Sequence, residues 1–163
     1  MFLKVKKNFD DAKIPERANP TDSGADVFVY GFKKLFSKSI LYKSRVEEEN
    51  PESVTLLTND RVLIDTGLSV TVGPGFEIQV RPRSGNALNR GLVVVNSPGT
   101  IDESYRGILG IIIANIGHEP QTIQKGEKIA QIVVTEVKIF PIEVVDELDQ
   151  TDRGERGFGS SGT

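Results

Sequence analysis

The segment Gly91–Gly110 combines three side chains that a plain connecting loop does not need. It carries an acid in an apolar setting, Asp102, an aromatic ring, Tyr105, and a carboxamide, Asn96. β-Branched runs on both sides and dense turn residues between them predict a β-hairpin with these groups at its tip. The alternative is a polar hairpin loop in which the tyrosine covers the core.

A second group of candidate residues lies just upstream. A predicted strand ends in two arginines, and Ser84 and Gly85 follow Arg83 at the start of a short predicted helix. A guanidinium, a hydroxyl and backbone N–H groups at a helix start together form a suitable cradle for a phosphate. The alternative is a capped surface helix flanked by arginines.

The C-terminal tail, Asp146–Thr163, is rich in glycine and serine and has little to bury except Phe158. Such a segment could place Phe158 on a nucleobase and wrap N–H groups and Arg153 around a phosphate. Ordering it costs roughly 1–2 kcal/mol per residue in backbone entropy, which a ligand would have to offset. A terminus without a function is the alternative. With the other two segments, the tail suggests an enzyme that acts on a nucleoside phosphate.

Composition excludes several other chemistries. The chain has 163 residues, a net charge of −3, no cysteine and a single histidine, His118. The charge argues against a nucleic-acid surface, and the residue counts argue against disulfides, a thiolate metal site and a Ser-His-Asp triad. No leader and no membrane-spanning apolar run are evident, so we expect a soluble cytoplasmic protein, or a nuclear or host-cell one if the source is eukaryotic or viral.

Short strands separated by turn signals follow one another from residue 54 and predict an all-β sandwich or barrel. One helix is predicted at Ser84–Arg90, and no βαβ alternation is present. Residues 1–150 are expected to form one β domain, with a surface insertion at about 32–52, and residues 151–163 a flexible lid. The predicted strands are 1–7, 26–30, 54–57, 61–65, 68–72, 76–81, 92–95, 108–115, 120–123, 129–138 and 142–145.

Five short motifs, spread in order from residue 24 to the C-terminus, resemble those of the trimeric dUTPase family. They are Gly24-Ala25-Asp26, Arg81-Pro82-Arg83-Ser84-Gly85, Asn96–Gly107, Gly126–Gln131 and Arg153–Gly162. The resemblance implies a jelly-roll homotrimer with active sites shared between subunits. It also implies Mg²⁺-dependent hydrolysis of dUTP to dUMP and pyrophosphate, which limits dUTP and supplies dUMP for thymidylate synthesis.

Carried over residue by residue, the resemblance makes Asp102 the general base that activates the water attacking the α-phosphorus. Tyr105 would lie under the deoxyribose and exclude a 2′-hydroxyl. Asp26 would hold Mg²⁺ through water. The remaining substrate-binding residues divide by the part of dUTP they would contact. They are Asn96, Thr100 and Ile101 for uracil, Arg83, Ser84, Gly85, Gln131 and Arg153 for the phosphates, and Phe158, Gly159, Ser160 and Ser161 for the closing lid.

Two departures and two rival functions accompany the resemblance. Arg156 stands where the family commonly has glycine, and Asn86 follows the second motif. A dCTP deaminase shares the fold but needs a glutamate where this chain has Ile112, which cannot transfer protons. A non-catalytic regulator that keeps the nucleotide site is the second rival, and the intact Asp102 and Arg153 argue against it.

Overall fold

The computed structural model describes residues 2–36 and 51–157. Its strands and helix, in chain order, are β1 Lys4–Lys7, β2 Ala25–Phe28, β3 Gly31–Phe36, β4 Ser53–Leu56, β5 Arg61–Asp65, β6 Leu68–Thr71, β7 Phe76–Pro82, α1 Ser84–Arg90, β8 Leu92–Val94, β9 Gly99–Ile101, β10 Gly110–Asn115, β11 Gln121–Gln124 and β12 Lys128–Glu136. The all-β prediction is therefore confirmed.

Two four-stranded antiparallel sheets, ordered β3-β5-β10-β8 and β2-β12-β7-β9, supply most of the pairing. Buried and more exposed residues alternate along β5, β7 and β10, as expected when one sheet face packs on a core. The core cluster takes side chains from both sheets, including Ile64 and Ile111 from one and Ile78 and Ile132 from the other. This arrangement is an all-β fold of the jelly-roll type.

The hairpin predicted at 91–110 is confirmed in its strand pairing and wrong in its tip. β8 and β10 do pair, with Val94 opposite Ile113. The segment between them is not a free tip, because β9 crosses to the other sheet and pairs with β7. A Cβ on Gly99 would lie 3.3 Å from Val80 Cβ, so a residue without a side chain allows this close approach.

Two other predictions need correction. The insertion predicted at about 32–52 begins too early, because residues 32–36 belong to β3, which pairs with β5 and buries Phe32. Residues 37–50 lie outside the described part. The strand predicted at 142–145 does not form within the described chain, and its apolar side chains are exposed.

Helix α1 has the predicted bounds, Ser84–Arg90. It ends where Gly91 adopts a left-handed conformation, with φ 62°, and donates its N–H to Asn86 O. Arg83 begins the helix without capping it through its side chain. Among the described helical residues, no stretch is long and apolar enough to cross a membrane.

Candidate active site

Three of the five motifs meet at the strands β2, β12 and β7. Gln131 of β12 lies opposite both Asp26 of β2 and Arg81 of β7. Arg83 Nε donates to Asp26 Oδ1 at 2.8 Å, and Gln131 Nε2 donates to Pro82 O at 3.0 Å. The structure thus brings Asp26, Arg83 and Gln131 into one cluster, which we call the cradle cluster together with Ser84 and Gly85.

Asp26 forms ion pairs with two cationic side chains. Besides the Arg83 guanidinium, the Lys128 ammonium lies 3.2 Å from Asp26 Oδ2, and the Asp26 side chain is only 15% exposed. The low exposure strengthens these attractions because water screens them less. Lys128 was missed by sequence reasoning, since a lysine beside a β-turn has no distinguishing signal of its own.

Gly24 leaves room for the Gln131 carboxamide. A Cβ at position 24 would lie 2.0 Å from Gln131 Oε1, which is far inside van der Waals contact. The obstructing atom is the end of a flexible side chain, so the carboxamide can rotate away at little cost to the fold.

We therefore expect Gly24→Ala to impair function without unfolding the protein. If Gln131 contacts phosphates as the family resemblance implies, its displacement removes a polar contact worth about 0.5–1.5 kcal/mol, so KM should rise up to about tenfold. Steady-state kinetics and a thermal melt measure the two effects. Gly110→Ala controls for the added methyl group, because its Cβ would also meet the end of a flexible side chain, Leu63 Cδ1 at 3.0 Å, and it lies in the other sheet. A lowered melting temperature with unchanged KM would contradict the prediction.

Ser84 and Gly85 are exposed at the start of α1. The first turn of the helix contains no acidic residue, and no side chain accepts a bond at its N-cap. The exposed Ser84 adjoins Arg83 in the chain, and a hydroxyl and a guanidinium are both groups that bind anions.

The residues predicted to bind the base lie on and beside β9. Thr100 is exposed and lies opposite Gln79, while Ile101 is half-buried opposite Ile78. Asn96 is exposed, and its Nδ2 would be 3.3 Å from a Cβ on Gly99. One polar side chain beside a short strand with free edge groups can read the edge of a planar base.

Tyr105 and Asp102 follow β9 in the next turn. Tyr105 is 43% exposed and donates its hydroxyl to Ile108 O at 3.0 Å. In the single chain Asp102 is exposed. It lines a cleft of about 400 Å³ with Glu77 and Ile139, where solvent reaches it.

Asp102 and the cradle cluster occupy opposite ends of β7. The register places Ile101 opposite Ile78, so Asp102 follows at the level of Glu77. Arg83 lies six residues beyond Glu77 in the chain. At about 3.3 Å per residue this is a separation of about 20 Å. One chain therefore does not bring Asp102 and Arg83 to the same phosphate.

The described part of the tail is exposed and folds on itself. Arg153 Nε donates to Arg156 O at 3.0 Å, and Arg156 Nε donates to Arg153 O at 2.9 Å. The structure does not bring Arg153 to the cradle cluster. Phe158, Gly159, Ser160 and Ser161 lie outside the described residues.

A metal site built from protein ligands alone does not occur in the described part of the chain, where no three His, Cys, Asp or Glu side chains converge. Asp26 is the one carboxylate in the cradle cluster. Mg²⁺ usually keeps several waters and binds through one or two carboxylates plus substrate phosphates. Asp26 fits that requirement when it acts through water, because its own oxygens already accept from Arg83 and Lys128.

A separate polar cleft of about 360 Å³ lies around Tyr30, Lys13 and Thr66. Partial burial raises the pKa of Tyr30 above its ordinary value. The Asp11 carboxylate, which accepts a hydrogen bond from the Tyr30 hydroxyl, raises the pKa further, and so does the negative charge of Asp65. Among the motif residues that the structure describes, only Gly126 lines this cleft. We therefore assign the catalytic chemistry elsewhere.

Together, the jelly-roll sandwich and its cradle cluster define an all-β protein with a polar site suited to an anionic nucleotide. A family model described as dUTPase matches residues 49–162. The chain belongs to the dUTPase family.

Relatives and solved structures agree with this assignment. The deoxyuridine 5′-triphosphate nucleotidohydrolase of Clostridium novyi is 41% identical over 162 residues and covers 99% of both chains. That of Helicobacter hepaticus is 42% identical over 162 residues, covering 99% of this chain and 89% of its own. The Staphylococcus bacteriophage 80alpha dUTPase with dUpNHpp is 29% identical, covers 99% of both chains and superposes with a TM-score of 0.77.

Proposed function

We propose that the chain hydrolyses dUTP to dUMP and pyrophosphate, with Asp102 activating the attacking water. The observation that carries this proposal is the cradle cluster, in which segments more than 100 residues apart in sequence place Arg83 and Gln131 around Asp26. Named relatives with this activity, at about 40% identity over nearly the whole chain, support the same reaction.

In the proposed chemical step, Asp102 acts as the general base for the attack of water on the α-phosphorus. Asp102 accepts a proton from water as the water oxygen attacks the α-phosphorus. The bond from the α-phosphorus to the oxygen that bridges it to the β-phosphorus breaks, and pyrophosphate leaves. The exposed carboxylate of Asp102 is supported in this role by its place beside the base-binding strand β9. A positioned general base contributes about 10²–10⁴-fold in rate.

Selection of uracil and deoxyribose falls to the residues around β9. Asn96 and the backbone of Thr100 and Ile101 would pair with the uracil edge, where cytosine would oppose donor to donor. Tyr105, held by its bond to Ile108 O, would lie under the sugar and exclude a 2′-hydroxyl. A site built on such hydrogen bonds rejects a mismatched substrate by about 10⁴-fold or more.

The phosphates would be held by Arg83, Ser84, Gly85 and Gln131. Arg153 would reach the γ-phosphate, which requires its turn with Arg156 to rearrange or to dock as a unit. Phe158 would cover the base, and Gly159, Ser160 and Ser161 would supply backbone donors as residues 151–163 close. Contacts with the ligand would offset the entropy of ordering this lid.

Mg²⁺ is the proposed cofactor, held by Asp26 through water and by the phosphates. The ion would neutralise charge on the triphosphate. Arg83 and Lys128 hold the Asp26 carboxylate in place, so it can accept from a metal-bound water. The phage phi11 dUTPase, described with a structural Mg(II) ion, shares the fold at 24% identity and a TM-score of 0.70.

We infer a homotrimer with shared active sites. The separation of about 20 Å between Asp102 and Arg83 along one chain supports a site completed by another copy. The exposed apolar side chains of Ile139, Phe140 and Ile142 offer surface that a second copy could bury. We propose that the enzyme acts in the cytoplasm, where it would limit dUTP and supply dUMP for thymidylate synthesis.

Pyrophosphate release tests the proposed reaction. We expect purified protein with Mg²⁺ to release pyrophosphate from dUTP. UTP should be a poor substrate because its 2′-hydroxyl would meet Tyr105, and dTTP, which adds a methyl group at C5 of the base, is a second control. Ammonia release from dCTP is measured in parallel. No turnover of dUTP, or deamination of dCTP, would overturn the proposal.

A further inference from the structure

Asn86 connects the two halves of the cradle cluster. It is the third residue of α1, only 8% exposed, and its side chain points away from solvent into the junction with β12. Its Nδ2 donates to Lys128 O and to Ile129 O, both at 3.2 Å. One side-chain amide thus joins the helix that follows Arg83 to the strand that carries Gln131.

Asn86 donates to these two carbonyls at a point where β12 is irregular. Lys128 lies opposite Phe28 and Ala130 lies opposite Val27, so Ile129 is an extra residue in the ladder with β2. A β-bulge of this kind interrupts the regular backbone pairing. The Asn86 amide donates to the carbonyls of Lys128 and of the extra residue Ile129, and so holds the bulge to α1.

The same carbonyl also receives Arg83. Arg83 Nη1 donates to Lys128 O at 3.4 Å while its Nε holds Asp26 at 2.8 Å. Lys128 O therefore accepts from both Arg83 and Asn86, and the Lys128 ammonium contacts Asp26. Loss of the Asn86 bonds would let α1 move relative to the bulge, which would change the distance between Arg83 and Gln131.

We propose that Asn86 is a positioning residue, which sets the spacing of the cradle cluster for the phosphates of the substrate by pinning α1 to the β12 bulge. The inference rests on the proposed function, since it assumes that the cluster binds phosphates. It gives a role to Asn86, the residue after the second motif at which this chain departs from the family. That role requires a side chain that donates hydrogen bonds, and a side chain of similar volume without a donor would not serve.

Asn86→Leu tests the requirement for a donor, because leucine keeps the approximate volume and removes both hydrogen bonds. Affinity for the non-hydrolysable analogue dUpNHpp should fall by about 10- to 100-fold, the cost of a misplacement of about 1 Å. Affinity for deoxyuridine, which has no phosphate, should be unchanged. Titration calorimetry gives both association constants. We expect the association constant for dUpNHpp, divided by that for deoxyuridine, to fall.

Arg90→Leu is the matched control. Arg90 anchors the other end of the same helix to Glu127, Gln121 Oε1 and Thr122 O. We expect this variant to lower the melting temperature while leaving the ratio of the two affinities unchanged. If Asn86→Leu does not fold, Asn86→Ser, which keeps a hydroxyl donor and leaves room for water, should show a smaller fall in the ratio.

The possible results separate the inference from the function it rests on. A ratio that is unchanged in the Asn86 variants, or an equal loss of both ligands, would overturn the positioning role. A wild-type protein that binds dUpNHpp no better than deoxyuridine would instead refute the phosphate site itself.

Discussion

Asp102→Asn should remove most of the turnover and leave nucleotide binding intact. The carboxamide has nearly the same shape but cannot accept a proton from water, so kcat should fall by about 10²–10⁴-fold. Because Asp102 is exposed and lines an open cleft, its replacement disturbs no core packing and should not lower the melting temperature. Single-turnover hydrolysis of dUTP and calorimetry with dUpNHpp measure the two quantities.

Glu103→Gln is the matched control for that change. The neighbouring glutamate is also exposed, and removing its charge alters the local field by the same amount. Its backbone oxygen, rather than its carboxylate, accepts from Thr71 Oγ1. A large loss in Glu103→Gln, or near-normal turnover in Asp102→Asn, would show that Asp102 is not the base.

Truncation after Asp152 should have an effect of similar size. It removes Arg153 and the proposed lid, and loss of one charge-stabilising donor costs about 10²–10³-fold in kcat. Residues 153–157 are exposed in the structure, so the β sandwich should keep its melting temperature. Pyrophosphate release gives the rate, and size-exclusion chromatography with light scattering gives the assembly, which we expect to remain trimeric.

A second truncation, after Gly157, separates the parts of the lid. It keeps Arg153 and Arg156 and removes Phe158 and the residues that follow. An intermediate loss would assign part of the effect to covering the base and part to the γ-phosphate. A monomer after either truncation would make the tail a structural element, and unchanged turnover would remove the lid from the mechanism.

Local sequence patterns predicted the elements whose residues carry a clear pattern of their own. The strand at 61–65 and the helix at 84–90 have the bounds expected from periodicity and from the glycine that follows the helix. The cradle residues Arg83, Ser84 and Gly85 were visible because arginine, serine and glycine stand together in the chain. The resemblance to a family then added Asp26 and Gln131, which the structure brings to Arg83.

Elements that depend on distant partners could not be predicted in this way. β9 is three residues long and lies among turn residues, and it becomes a strand only because β7 offers an edge. β3 was not predicted as a strand because it contains the charged residues Lys33 and Lys34. In the structure, β3 lies at the edge of a sheet, where a salt bridge from Lys33 to Asp65 at 3.0 Å and a bulge accommodate these lysines. The bulge in β12, which gives Asn86 its partners, leaves no mark in the sequence.

The placement of Asp102 and Arg83 at opposite ends of β7 has a genetic consequence. In the proposed assembly, a lesion at one end and a lesion at the other damage different contributions to any given site. Mixed oligomers of two inactive chains would then contain some sites in which both contributions are intact. Two alleles that each abolish activity could therefore complement one another, although neither chain carries a complete wild-type sequence.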